Sequence, residues 1–481
     1  MKKTSKNHPN LLFVFADQWR KQSLGIEDPK IITPNFDAFA KDSVYFQNAV
    51  SNCPLCSPYR GCLFTGKYPV QNGIYGNCMT GYDIALREDD IALSDVLYDQ
   101  GYRTGYIGKW HLDEPELNHS DHPRSGAANW DAYTPQGPRR HHFSYWHAYN
   151  ADNDHLSPHY WEDSPERIDI AQWSPIHETD KALEFLAQSS EQPFALFVSW
   201  NPPHPPFDRV PEQYVRMYDD LDELPHNVPE ADRYDNQTGE PGIVGTEQLK
   251  LAMRRYYGAI SGLDEQFGRL MTFLKDNDLY DNTLIVLTAD HGEHLGTHGL
   301  VGKHTWYEQS VCVPLMMRYP DKLCPRREEL CISTVNLPST MLSLMDLDRS
   351  EVAGPDVSRY LVQQSRPDED CAFLSAYVSR DIFIEAFQML GIKPVDVGWR
   401  GIRDRRYTYV LFRGYMPEDR PCALLYDREN DPDQAAPVEM GKRIDHTAAV
   451  HLHEKLMRHL KTENPGFYQW ARQWFQVSAN K

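Results

Sequence analysis

Cys56, Pro58 and Arg60 alternate within Cys53-Pro-Leu-Cys56-Ser-Pro-Tyr-Arg60-Gly-Cys62, and Leu63-Phe-Thr-Gly-Lys-Tyr-Pro69 follows. Read as Cys-x-x-Cys, Cys53 and Cys56 would be half a zinc site or a redox dithiol. No second pair lies nearby at ligand spacing, and no thioredoxin-like βαβ pattern surrounds them. Read as Cys56-x-Pro-x-Arg60, the segment sets a nucleophile at the positive end of a helix begun by Pro58, a setting for attack on anions. Two carboxylates end apolar runs, in Phe15-Ala-Asp17-Gln18 and in Leu287-Thr-Ala-Asp290-His291-Gly-Glu-His. Strand carboxyl ends meet a site in open α/β sheets, although a single aspartate there is ordinarily a helix cap. Cations and imidazoles follow other runs: Lys109 and His111 in Gly105-Tyr-Ile-Gly-Lys109-Trp-His111, His204 in Trp200-Asn-Pro-Pro-His204-Pro-Pro-Phe, and Lys303 in Gly302-Lys303-His-Thr-Trp-Tyr307-Glu308.

These basic groups matter because the 481-residue chain carries a net charge of −20. Such a field repels a nucleic acid backbone, so an anionic substrate has to be held by a local basic pocket. The elements that would position the groups are short apolar runs: Leu11–Ala16, Arg103–Ile107, Phe194–Trp200, Thr283–Thr288 and Val313–Met317. Their near-continuous apolar character fits strands buried on both faces of a parallel sheet. Helical patterns lie between them, from Ala92–Gln100, closed by Gly101, to Thr246–Asp276 with one apolar stripe. The expected fold is α/β, with a catalytic domain over 1–365 and a small C-terminal α+β subdomain over 366–481. In that tail, Ala372–Val378, Trp399–Ile402 and Tyr407–Phe412 read as strands and Ala448–Lys461 as a closing helix. Segments 115–180 and 208–245 lack periodicity and are expected to rim a binding site. No run reaches the roughly 18 apolar residues of a membrane span, and no secretory leader is visible. With nine scattered cysteines, the expected location is the cytoplasm, or the periplasm or exterior for a chain trimmed of its leader.

With these motifs in order along residues 10–345, the chain resembles the type I sulfatases of the alkaline-phosphatase superfamily, notably bacterial carbohydrate sulfatases. The resemblance implies an alkaline-phosphatase-like large domain, a mainly parallel sheet between helices, and an antiparallel sheet in the C-terminal subdomain. It also implies that a formylglycine-generating enzyme oxidises Cys56 to formylglycine. Asp17, Gln18, Asp290 and His291, together with residue 56 itself (Cys56 in the sequence), would then hold a divalent cation, calcium ahead of magnesium or manganese. Three positions depart from the commonest family pattern: Tyr59 replaces Ser, Gln18 replaces a second Asp, and His291 replaces Asn. The latter two also occur in phosphonate monoester and phosphodiester hydrolases of the superfamily, which supply the alternative function. A catalytically silent glycan-binding relative is a further alternative, opposed by the full set of catalytic positions.

The reaction so implied is hydrolysis of a sulfate monoester. Hydrated formylglycine attacks sulfur, Asp290 takes its proton, and Arg60, Lys109 and Lys303 neutralise the sulfuryl oxygens. His204 protonates the leaving alkoxide, and His111 takes the second hydroxyl proton so that sulfate is expelled. The expected partner is a sulfated glycan or another small sulfate ester. Trp130, Arg139, Arg140, His141, His142, Tyr145, Trp146, His155, Tyr160 and Trp161 are candidates for a carbohydrate subsite.

Overall fold

Every residue of Asn10–Asp17 (β1) is buried, as a strand covered on both sides requires. The computed structural model describes residues 8–476 apart from 189–191, 226, 230–233, 236–241, 244, 379–380, 442 and 445. Part of the expected irregular segment 208–245 therefore falls outside the described residues.

The other strands of the main sheet are Val44–Val50 (β2), Arg103–Lys109 (β3), Tyr145–Tyr149 (β4), Phe194–Pro203 (β5), Thr283–Ala289 (β6), Leu315–Arg318 (β7) and Arg326–Ser333 (β8). They lie in the order β8-β2-β7-β6-β1-β5-β3-β4. All run parallel except β7, which is antiparallel to both β2 and β6. Each apolar run of the sequence is a strand of this sheet. β2, β4 and β8 went unread because polar residues interrupt them, as in Arg326-Arg-Glu-Glu.

The helix Thr246–Asp276 buries the stripe expected of it, including Met253, Ile260, Leu263, Phe267, Leu270 and Leu274. Among the described residues no helix is long and apolar enough to cross a membrane. The nine cysteines are all unpaired.

A second sheet follows: Ala372–Ala376 (β9), Gly398–Arg403 (β10), Tyr407–Gly414 (β11), Cys422–Asp427 (β12) and Val438–Met440 (β13), antiparallel throughout. One face packs under the helices Thr447–Glu463 and Pro465–Gln476 through Ile402, Tyr409, Leu411, Leu452, Leu456 and Phe467. The other face joins Val50 and Val311 of the large domain through Trp399, Val410 and Leu374. Backbone bonds seal the seam, with the Ser375 N–H donating to the Asn52 carbonyl at 2.8 Å.

Candidate active site

Parallel strands deliver their carboxyl ends to one edge, so β1, β3, β5 and β6 present Asp17, Lys109, Asn201 and Asp290 together. Gly108 enables the approach of β3 to β5. It has φ +97°, and a Cβ there would lie 2.2 Å from the Ser199 carbonyl oxygen.

The helix Cys56–Thr65 begins at Cys56 itself, so Pro58 falls inside its first turn instead of opening it. Proline is tolerated there because the first four N–H groups of a helix have no internal partner. The helix is buried along its whole length, and its positive end faces the cluster as the motif implied.

Asp17, Cys56, Asp290 and His291 each place one donor atom within 4.8 Å of all the others. Cys56 Sγ donates to Asp17 Oδ1 at 3.5 Å and lies 3.4 Å from His291 Nε2. The expected proton acceptor was Asp290; the carboxylate in hydrogen-bond reach of Sγ is Asp17. Asp290 Oδ1 instead accepts the backbone N–H groups of Gln18 and His291, at 2.9 and 2.8 Å. Its Oδ2 is buried without a hydrogen-bond partner. The His291 Nδ1–H bonds the Gly292 carbonyl at 3.1 Å, which turns Nε2 towards the cluster. Two carboxylates and a neutral imidazole, with a buried Asp290 Oδ2 that has no hydrogen bond and only the Arg60 guanidinium 3.7 Å away, fit a divalent cation. Gln18 stands beside them, its Oε1 accepting from Lys303 Nζ and its Nε2 donating to Glu293.

The charges sort the protonation states. Burial works against an ionised Asp17, but the charges of Lys109, 2.6 Å away, and of Lys303 hold its carboxyl well below the ordinary range. Burial and the Asp17 charge push Asp290 up to about 8. Burial, then Lys303, keeps His291 neutral. Burial and Asp17 raise the Cys56 thiol to about 11, so the unmodified side chain is a neutral thiol at pH 7 and a poor nucleophile.

Lys109 Nζ and Lys303 Nζ stand 4.0 and 3.8 Å from Sγ. Arg60 departs from its expected place on the ester. Its Nη1 donates to the Lys109 carbonyl, Tyr106 and Ser199, and its Nη2 pairs with Asp17 at 3.3 Å. It braces Asp17 from behind and is not part of the cavity wall.

The cavity above Cys56 has a volume of about 520 Å³ and is walled by Lys109, His111, Asn129, Trp130, Asp152, His204 and Arg209 among others. His111 lines it with both ring nitrogens buried and unpartnered, its ring stacked beside Trp130. Burial, then Lys109 and Arg60, keeps that imidazole neutral. His204 donates from Nδ1 to the Pro205 carbonyl at 2.7 Å. Burial, then Lys303 and Lys109, pushes its pKa well below the usual value.

Of the ten candidates for a carbohydrate subsite, Trp130 alone lines this cavity. His155 props the His204 backbone, its Nε2 2.8 Å from that carbonyl. Arg139 pairs with Asp113 and Arg140 with Asp163; His141 and His142 bond Asp95; Tyr160 donates to Glu178. Tyr145, Trp146 and Trp161 pack within hydrophobic clusters. Their alternating presence in an unperiodic stretch reflects packing around β4, which the sequence pattern hid. Asn201 and Glu293 were missed. Asn201 lies inside the quoted Trp200–Phe207 motif and accepts from Lys109 Nζ at 3.1 Å, but an amide gives no charge signal.

The sulfatase family profile matches residues 9–347, and the profile described as N-sulphoglucosamine sulphohydrolase, C-terminal, matches residues 296–463. The chain belongs to the sulfatase family and is a sulfuric ester hydrolase. It is 31% identical over 466 residues to an endo-4-O-sulfatase of Bacteroides thetaiotaomicron, covering 91% of this chain and 89% of the relative. It is 30% identical over 462 residues to an ulvan-active sulfatase of Formosa agariphila, covering 94% and 81%. The solved structure of yidJ from Bacteroides fragilis superposes with a TM-score of 0.83 at 32% identity, covering 98% of this chain and 99% of that one. The large sheet and the antiparallel C-terminal sheet are the expected alkaline-phosphatase-like arrangement.

Proposed function

We propose that this sulfatase removes a sulfate ester from a carbohydrate, using residue 56 as formylglycine and a divalent cation held by Asp17, Gln18, Asp290 and His291. One observation carries the reading: donor atoms of Asp17, Cys56, Asp290 and His291 converge within 4.8 Å, with two lysine ammonium groups 4.0 and 3.8 Å from Cys56 Sγ. A bound divalent cation supplies Lewis-acid charge beside the reacting atoms, and calcium suits the oxygen donors. Hydrated, the aldehyde made from Cys56 offers one hydroxyl to attack sulfur and a second whose proton loss frees sulfate. The Cys56-x-Pro-x-Arg60 spacing supports this modification.

The remaining roles belong to the chain's own groups. Lys109 and Lys303 hold the sulfuryl oxygens, preorganised by Asp17, Asn201 and Gln18. His204 protonates the leaving sugar oxygen from Nε2, the nitrogen left free by the bond to Pro205. Burial, then Lys303 and Lys109, lowers its pKa in the free enzyme, and the negative charge of a bound sulfate ester offsets part of the lysine contribution. His111, neutral and unpartnered, takes the proton of the second hydroxyl. Trp130, exposed at the wall, offers an apolar face to a sugar ring.

The names of the relatives support a glycan substrate, one of them acting on ulvan. The reading is tested by incubating the mature enzyme with sulfated oligosaccharides and with a phosphonate monoester and measuring released sulfate and phosphonate. Turnover of the phosphonate alone would overturn it.

A further inference from the structure

Glu293 lies two residues beyond His291, fully buried and outside the cavity wall. Its Oε1 accepts the backbone N–H groups of Leu295 and Gly302, each at 2.7 Å. Its Oε2 accepts from Gln18 Nε2, and Gln18 Oε1 in turn accepts from Lys303 Nζ. The rest of Gln18 is already pinned: its N–H donates to Asp290 Oδ1 at 2.9 Å, and its carbonyl accepts from the Tyr256 hydroxyl at 2.7 Å. The orientation of its amide is the one freedom left.

An amide has nearly the same shape either way round, so its partners decide which end faces the cluster. Glu293 Oε1 is taken by two backbone N–H groups, and Oε2 takes the NH₂ end of the amide. The oxygen end is thereby left towards Lys303, whose ammonium stands 3.8 Å from Cys56 Sγ. Burial pushes the Glu293 carboxyl above its ordinary range, with the bonds from Leu295, Gly302 and Gln18 and the charge of Lys303 working against that rise.

We propose that Glu293 is a positioning residue that makes the uncharged Gln18 present oxygen to the cation site and, through Gly302, fixes the segment carrying Lys303. The inference rests on the metal-dependent reading of the site.

The test is calcium titration of the metal-free mature enzyme by calorimetry. In Glu293→Gln the new side chain keeps an oxygen for the two backbone donors, but its NH₂ meets the NH₂ of Gln18. Gln18 must then turn its oxygen away from Lys303. Calcium affinity is expected to fall by about 10–100-fold, the range for losing an outer partner of a metal ligand, with thermal unfolding of the metal-free protein little changed. The exchanged pair Gln18→Glu/Glu293→Gln restores one carboxylate and one donor and should recover most of that loss. If Glu293→Gln does not fold, Gln18→Met leaves the Glu293 backbone bonds intact and should weaken calcium binding to the same degree. Parent-like calcium affinity in the single variant, or no recovery in the exchanged pair, overturns the role of Glu293. A parent enzyme that binds no divalent cation overturns the metal reading itself, a separate result.

Discussion

The Trp399 indole N–H donates to the His304 carbonyl at 2.9 Å, and so the C-terminal sheet grips the residue next to Lys303. The Tyr415 hydroxyl reaches the same carbonyl at 3.0 Å, while Arg403 pairs with Glu308 at 2.8 Å and Trp306 donates to the Tyr426 hydroxyl at 2.9 Å. The second sheet therefore completes the active site from behind, through the segment Gly302–Glu308.

Tyr415→Phe removes one of these two donors without changing the ring. A hydrogen bond of this kind contributes about 1 kcal/mol, so stability should drop by roughly that amount in a denaturant titration. If the grip orients Lys303, kcat should fall about two- to tenfold, since ~1.4 kcal/mol is a factor of ten. An unchanged kcat with lowered stability would confine the contact to folding.

Cys56→Ala should abolish turnover while leaving the metal-free fold intact by circular dichroism. Peptide mass spectrometry on enzyme from the native host should show an aldehyde at residue 56, reactive towards hydrazide. A fully active enzyme with an unmodified thiol would defeat the formylglycine assignment.

Cation binding should strengthen as pH rises from about 6 to 8. Asp290, raised to about 8 by burial and Asp17, is protonated over much of that window and has to lose its proton to serve as a ligand. Below that pKa the affinity should fall by up to tenfold per pH unit, with close to one proton released per ion. Calorimetry in buffers of different ionisation enthalpy counts the protons; a pH-independent affinity without proton release would contradict the arrangement.

His204→Ala should reduce hydrolysis of a sugar sulfate by on the order of 10²–10⁴-fold and spare an activated aryl sulfate, whose phenolate departs unprotonated. The pH profile carries the same sign. His204 is depressed in the free enzyme, so the alkaline limb of kcat/KM should lie at lower pH than that of kcat, measured with the sulfate bound. Equal losses on both substrates would reduce His204 to a binding residue.

Trp130→Ala should raise KM for an oligosaccharide by about tenfold, roughly 1.4 kcal/mol, and leave a small aryl sulfate nearly unaffected. Parallel losses on the two substrates would show that Trp130 supports His111 and gives no surface for a sugar ring.

The sequence by itself singled out Cys56, the carboxylates Asp17 and Asp290 and the cations Lys109 and Lys303, because each stands at the end of an apolar run or in a motif of fixed spacing. Parallel sheets place strand ends on one edge, so Asp17, Lys109, His204 and Asp290 could be assembled without coordinates. The long helix Thr246–Asp276 was legible for the same kind of reason, a stripe repeating at helical spacing. Tertiary structure decided the partners. Arg60 turned away from the cavity because Asp17 and three oxygen acceptors lie behind it. The aromatic stretch around Tyr160 folded inward because β4 needed cover, and Trp130 alone reached the site. Glu293 and Trp399 touch it across 275 and 95 residues of chain, through side-chain hydrogen bonds. Such bonds depend on distance and direction between remote segments, and no local spacing in a sequence encodes them.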